Sequence, residues 1–151
     1  MTSKTTVVTV TYGDRLPFVQ QSIERALSFP AVSNVVVVSN ASLASLDQLE
    51  QRWPAQVRVI ELAENTGSAN GYAVGLEAAL ASDADFIWMM DDDNLPTAAA
   101  VSILHHELTR LTGLLGSDQV AVLGYRETQQ ADIAQGIPAR YIRQPRSSYF
   151  G

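Results

Sequence analysis

Phe86-Ile87-Trp88-Met89-Met90-Asp91-Asp92-Asp93-Asn94 passes from five apolar residues directly into three adjacent carboxylates. An apolar run of this length reads as a strand buried on both faces, and its abrupt end reads as the point where the strand leaves the core. Three acids in a row repel one another unless water or a cation screens them. Oxygen-rich sites suit Mg2+ or Mn2+, which keep open positions for the phosphate oxygens of a substrate. A polar turn with a helix cap is the plainer alternative for Asp91 to Asn94.

The rest of the chain repeats the strand-then-polar-loop arrangement. Thr6 to Thr11 is rich in β-branched residues and predicts a first strand, broken by Tyr12-Gly13-Asp14. A helix is expected from about Leu16 to Ser28, with Asp14 as its cap and Pro17 in its first turn. Asn34 to Ser39 carries four consecutive valines and predicts a second buried strand. Leu46, Leu49 and Trp53 mark one face of a short helix that Pro54 stops. Val57 to Leu62 predicts a third strand, followed by the turn Glu64-Asn65-Thr66-Gly67 and a helix bearing Ala73, Leu76 and Leu80. Phe86 to Met90 is the fourth strand, Pro96 is expected to open a long helix through Leu115, and Gln119 to Gly124 reads as a fifth strand. This alternation predicts an α/β chain: a three-layer α/β/α sandwich with a mostly parallel central sheet.

In such sheets ligands bind beyond the carboxyl ends of the strands. Four polar clusters fall there: Tyr12-Gly13-Asp14-Arg15, Ser39-Asn40-Ala41-Ser42, Asn65-Thr66-Gly67-Ser68 and Asp91-Asp92-Asp93-Asn94. Asp91 and Asp93 flank Asp92 in a D-x-D arrangement, whose alternate residues point the same way. Gly67 and Gly71 stand where bare backbone can approach a ligand; for Gly75 close helix packing is expected instead. Ser68 and Asn70 are candidates either to cap the third helix or to meet a ligand. Asn40 offers a donor and an acceptor to a pyrimidine edge, or shapes a turn. Arg15 could pair with a diphosphate, and Tyr12 could stack on a base or pack. His105 and His106 are expected to be solvated helix residues, and Trp53 and Trp88 to lie in or near the core. The glycines do not form G-x-G-x-x-G, so no dinucleotide cofactor is implied.

Bulk properties narrow the function. A chain of 151 residues with 46% hydrophobic and 17% charged residues suits one compact globular domain. Cysteine is absent, which excludes a disulfide framework and thiolate chemistry. The net charge of −6 argues against a general affinity for nucleic acid. Met1 to Thr6 does not read as a signal peptide, and no apolar run approaches the roughly 20 residues of a membrane helix.

Together, Val8 to Arg15, Val36 to Ser42, Asn65 to Gly75 and Phe86 to Pro96 resemble the family 2 glycosyltransferases with the GT-A, Rossmann-like fold. The resemblance covers roughly Thr6 to Gly124, the half that holds the nucleotide sugar in that family. It implies an inverting, metal-dependent transfer from a UDP- or dTDP-linked sugar to a glycan or lipid-linked acceptor, in the cytoplasm or at the inner face of the membrane. By the same resemblance Thr11 and Tyr12 would line the base pocket, with Arg15 near the base or diphosphate. Asn65, Gly67, Ser68, Asn70 and Gly71 would wrap the nucleoside. Asn40 stands where many relatives carry an aspartate that reads uracil. The triple aspartate aligns on D-x-D in more than one register: Asp91 and Asp93 are the candidates for Mn2+ or Mg2+, and Asp92 for the donor. The narrower resemblance is to enzymes that transfer rhamnosyl or galactosyl-type residues to bacterial surface glycans.

Members of the family use a downstream acid as general base, taking the proton of the attacking hydroxyl. Glu107, Asp118, Glu127 and Asp132 are the acids available after Asp93, and none fits a recognisable motif, so the catalytic base is unassigned. Residues 1–124 are accordingly expected to be the nucleotide-sugar half and residues 125–151, with Arg126, Arg140, Arg143 and Arg146, the start of a truncated acceptor-side region. A nucleotide-sugar-binding module without catalysis is the competing reading. A nucleotidyltransferase is disfavoured by the glycine-poor first loop, and a haloacid-type phosphatase by the absence of paired aspartates after the first strand.

Overall fold

The computed structural model describes residues 3–116, 119–124 and 134–136. Four strands, β1 (Thr5–Gly13), β2 (Val32–Ser42), β3 (Val57–Leu62) and β4 (Phe86–Met89), alternate with four helices, α1 (Leu16–Leu27), α2 (Asp47–Arg52), α3 (Ser68–Leu80) and α4 (Ala100–Leu115). All strand pairs are parallel, in the order β3-β2-β1-β4. The chain therefore steps outward from β1 to β3, then returns through α3 to add β4 on the other side of β1. That reversal makes the β1/β4 boundary the topological switch point, where the loops that follow the strands diverge and leave a crevice.

The valine-rich strands form the two faces of the core. Val8, Val10, Val36 and Val38 pack with Ala79 of α3, and strand alternation sends the equally buried Val7, Val35 and Val37 to the opposite face. On that face the Phe29 ring, just beyond α1, meets Trp88 edge-on with centroids 6.0 Å apart. Helix α3 lies close to the sheet because it is glycine-bearing. A Cβ at Gly75 would stand 2.4 Å from Val8 Cγ1, and one at Gly71 2.7 Å from Val10 Cγ1. The packing role expected of Gly75 thus extends to Gly71.

Several sequence expectations are corrected. Phe86 to Met89 is not buried on both faces: its first three residues are half-buried and Met89 is 49% exposed. Among the described residues β4 is an edge strand, paired to β1 alone, so its apolar run has only partial cover. Pro96 does not open the long helix, which starts at Ala100; the Pro96 carbonyl instead accepts a hydrogen bond from Arg25 Nε at 2.6 Å. Gln119 to Gly124 is irregular and pairs with no strand among the described residues, and Leu123 is exposed. Neither Asp14 nor Ser68 nor Asn70 caps a helix: Arg15 and Gly67 hold those positions without a side-chain cap.

The chain divides into one compact unit of residues 1–98 and a second of residues 99–151. Within the second, α4 carries an ion pair from Arg110 Nη2 to Glu107 at 2.7 Å. His106 is exposed, whereas His105 is half-buried and its proton affinity is lowered by that burial. Asp118, Glu127 and Asp132, the arginines Arg126, Arg140, Arg143 and Arg146, and most of the expected acceptor-side region lie outside the described residues. Among the described residues no helix is long and apolar enough to cross a membrane.

Candidate functional site

Because every strand runs the same way, the carboxyl ends of β1 to β4 share one edge, and the four polar clusters meet there. Each contact described below belongs to the unit of residues 1–98.

The triple aspartate follows β4 as a tight turn, in which the Asn94 N–H donates to the Asp91 carbonyl at 3.2 Å. Burial alternates along it: Asp91 and Asp93 are exposed, and Asp92 between them is buried at 5%. A buried carboxylate requires compensation. Asp92 receives Arg15 Nε and Nη2 on its two oxygens, both at 2.8 Å, and the Thr11 hydroxyl at 2.7 Å. This two-pronged geometry matches a planar guanidinium to a planar carboxylate. Arg15 Nη2 also reaches Asp93 Oδ2 at 2.9 Å. The Asp92 hydrogen bond holds the Arg15 proton more firmly than usual; burial opposes this, and the charge of Asp92 and the contact with Asp93 add to it. The guanidinium lies over the rings of Tyr12 and Phe18, 5.5 and 5.2 Å from their centroids, which fixes its plane.

Tyr72 completes this cluster. It is the single aromatic residue of α3, and its hydroxyl donates to the Met90 carbonyl at 3.1 Å and lies 3.3 Å from Asp91 Oδ1. Burial, then the charge of Asp91, makes its phenol harder to ionise. Ser22 of α1 donates to the Asn94 carbonyl at 2.8 Å, pinning the far side of the same turn.

A second cluster joins β2 to the loop before α3. Asn40, 2% exposed, donates through Nδ2 to Asn65 Oδ1 at 2.9 Å, and its Oδ1 accepts from the Thr66 N–H at 2.9 Å. Asn65 Oδ1 also accepts from the Gly67 N–H at 3.0 Å. Asn70 Nδ2 donates to the Thr66 hydroxyl at 2.8 Å. Gly67 takes φ of 84° with open space where a Cβ would stand, a conformation that glycine adopts without strain. Ser68 is exposed at the start of α3.

The aim of Asn40 follows from an irregularity in the ladder. Thr11 pairs with Ser39 and Gly13 with Ser42, so Tyr12 alone opposes both Asn40 and Ala41. This is a bulge on β2, with Ala41 in the left-handed region at φ of 59°.

Of the sequence candidates, Thr11, Arg15, Asp92 and Asp93 are in one hydrogen-bonded cluster, and Asn40, Asn65, Gly67 and Asn70 are in the other. Asp91 joins the first through Tyr72. Tyr12 is 42% exposed over the first cluster, and Gly71 is buried on the sheet-facing side of α3. Tyr72, Ser22 and Arg25 are supporting residues that sequence reasoning missed. The one signal was Tyr72, a lone aromatic in a helix of otherwise small and aliphatic residues.

The family model for glycosyl transferase family 2 matches residues 6–115, which takes in both clusters. The chain belongs to glycosyl transferase family 2. Within this family, the galactofuranosyltransferase GlfT1 of Mycolicibacterium smegmatis is 34% identical over 68 residues, 45% of this chain and 22% of that protein. Among solved structures, S. aureus TarS 1–349 superposes with a TM-score of 0.58 at 17% identity, over 83% of this chain and 39% of that one. The mannosyltransferase PcManGT from Pyrobaculum calidifontis, in complex with GDP-Man and Mn2+, gives 0.55 at 20% identity, over 68% of this chain and 31% of that one. These structures share the GT-A fold with this chain, and the chain spans well under half the length of each.

Proposed function

We propose that this chain is the nucleotide-sugar-binding part of an inverting, metal-dependent glycosyltransferase. The observation that carries this reading is the division of labour in the triple aspartate. Arg15 and Thr11 neutralise and hold Asp92 inside, while the carboxylates of Asp91 and Asp93 flank it at the switch point of the sheet.

Among the described residues no group of three or more acid, histidine or cysteine side chains is placed to enclose a metal. Two exposed carboxylates fit an ion that takes its remaining ligands from diphosphate and water, as Mg2+ does. Asp91 and Asp93 would hold Mn2+ or Mg2+; when bound, the ion neutralises the diphosphate and stabilises it as a leaving group. The other roles belong to the chain's own residues. Thr11 and Tyr12 would border the base, and Asn65 to Gly71 would wrap the nucleoside. Tyr72 would keep Asp91 in place. Arg15 would orient the acids as a set, with its remaining edge available to a phosphate.

S. aureus TarS has been solved with UDP, and GlfT1 bears the name of a galactofuranosyltransferase. The first supports a UDP-linked donor over a dTDP-linked one, and the second a galactosyl-type sugar over a rhamnosyl one. The acceptor would be a glycan or a lipid-linked acceptor, reached in the cytoplasm or at the inner face of the membrane. Glu107, the one base candidate within a described helix, is ion-paired with Arg110, which lowers its proton affinity. That pairing favours a second reading, a donor-binding module without its own base.

Calorimetry of UDP with Mn2+ tests the proposal. Binding is expected with the metal, and is expected to be lost in Asp93→Ala. Equal affinity in the presence of EDTA would remove the metal role. Donor hydrolysis and transfer assays on this chain and on a longer gene product separate an enzyme from a binding module.

A further inference from the structure

Position 40 is where a side chain of this family would be sought to read the base, and its hydrogen bonds point elsewhere. Two backbone donors fix the orientation of both amides in the second cluster. The Thr66 N–H needs an oxygen, so Asn40 turns Oδ1 towards it. The Gly67 N–H needs one too, so Asn65 turns Oδ1 towards that group. Asn40 Nδ2 is then left facing Asn65 Oδ1 at 2.9 Å. The Thr66 hydroxyl lies 3.4 Å from the same Asn40 oxygen, so both lone pairs of the only acceptor this side chain owns are taken. With Asn40 2% exposed, no acceptor remains for the ring N–H of a pyrimidine.

We propose that Asn40 is a positioning residue, which fastens the Asn65–Gly67 loop to the bulged end of β2 and does not itself read the base. This rests on the donor-binding reading above and refines it: base preference is set outside position 40. The geometry also makes the two asparagines unequal. An aspartate at 40 sets a carboxylate oxygen against Asn65 Oδ1, and rotating the Asn65 amide to relieve this robs the Gly67 N–H of its acceptor. An aspartate at 65 keeps both bonds, because Asn65 uses only its oxygen; its Nδ2 has no partner among the described residues.

The test compares Asn40→Asp, Asn65→Asp and Asn65→Ala on the full chain, by amide hydrogen exchange at Thr66 and Gly67 and by calorimetry with UDP, CDP and GDP plus Mn2+. Asn40→Asp is expected to speed exchange at both amides and to weaken every nucleotide by about tenfold, the scale of one buried hydrogen bond, with the preference among bases unchanged. Asn65→Asp is expected to keep the exchange protection of Thr66 and Gly67 at the parent level, since its bonds are conserved. Should Asn40→Asp fail to fold, Asn65→Ala decides between the two roles, through lost Gly67 protection and an unchanged base preference. A shift in base preference with intact protection at Thr66 and Gly67 would overturn the proposal, and so would an equal loss of that protection with aspartate at 40 and at 65. If the parent binds none of the nucleotides, the donor-binding reading fails, while the exchange data still decide whether Asn40 fastens the loop.

Discussion

The two clusters on the rim solve one problem with different chemistry. Each uses a buried polar residue to fix exposed ones: Asp92 anchors the acid turn, and Asn40 anchors the loop before α3. Around Asp92 the ion pairs converge on one guanidinium, with the Thr11 hydroxyl as a neutral donor beside it. Around Asn40 the bonds are neutral, each between one donor and one acceptor. Charge acts over distance and tolerates small displacements, whereas amide bonds fail abruptly when a donor meets a donor. The first cluster suits a site that must exchange one cation for another, the second a wall of fixed shape.

Removing one partner separates them most sharply. Arg15→Ala leaves Asp92 buried and uncompensated and is expected to cost about 3 kcal/mol in urea unfolding. Asn40→Ala leaves the Thr66 N–H without its acceptor and is expected to cost about 1.5 kcal/mol; equal costs would erase the distinction.

Tyr72→Phe is next, at about 1 kcal/mol for the hydroxyl's bonds, and it carries a sign in pH. Burial raises the folded-state pKa of Tyr72 above its ordinary 10.0, so above that pH the unfolded chain gives up its proton first and stability falls as pH rises. Unfolding of the metal-free protein from pH 9 upward is expected to show a shallower alkaline fall in Tyr72→Phe.

The limb from Arg15 to Asp93 is weaker, because Asp93 is 39% exposed. Asp93→Asn should cost under about 1 kcal/mol and nothing measurable in molar salt, while the cost of Arg15→Ala persists there. A salt response shared by both would show the cluster to be wet throughout. Smallest is a gain: Ala41→Gly relieves a left-handed alanine and is expected to raise stability by about 0.5 kcal/mol in thermal melts, net of glycine's greater freedom when unfolded.

Much of this was legible in the sequence. The valine and threonine runs gave β1, β2 and β3 nearly to their ends, and the D-x-D periodicity anticipated that Asp92 would face away from its neighbours. What escaped depended on partners distant in the chain. Phe86 to Met89 is as apolar as a central strand, but its place at the edge of the described sheet is decided by strand order. The run Gln119 to Gly124 has strand composition, yet among the described residues it joins no strand of the sheet. Asp92 could be seen as an acid, but its neutralisation by Arg15 joins residues on different loops. Cap positions went to Arg15 and Gly67 because Asp14 and Ser68 fall one residue off the place where a side chain could cap.

The left-handed residues Gly13 and Ala41, near the ends of neighbouring strands, mark a boundary for engineering. Up to them the ladder dictates which way every side chain points; past them the chain is released from that alternation. Exchanging loops beyond this line leaves sheet pairing intact. Deleting Ala41 would pull the following segment one step back and turn its side chains inside out. The extra residue in β2 is thus a joint at which new pocket walls can be fitted to an old frame.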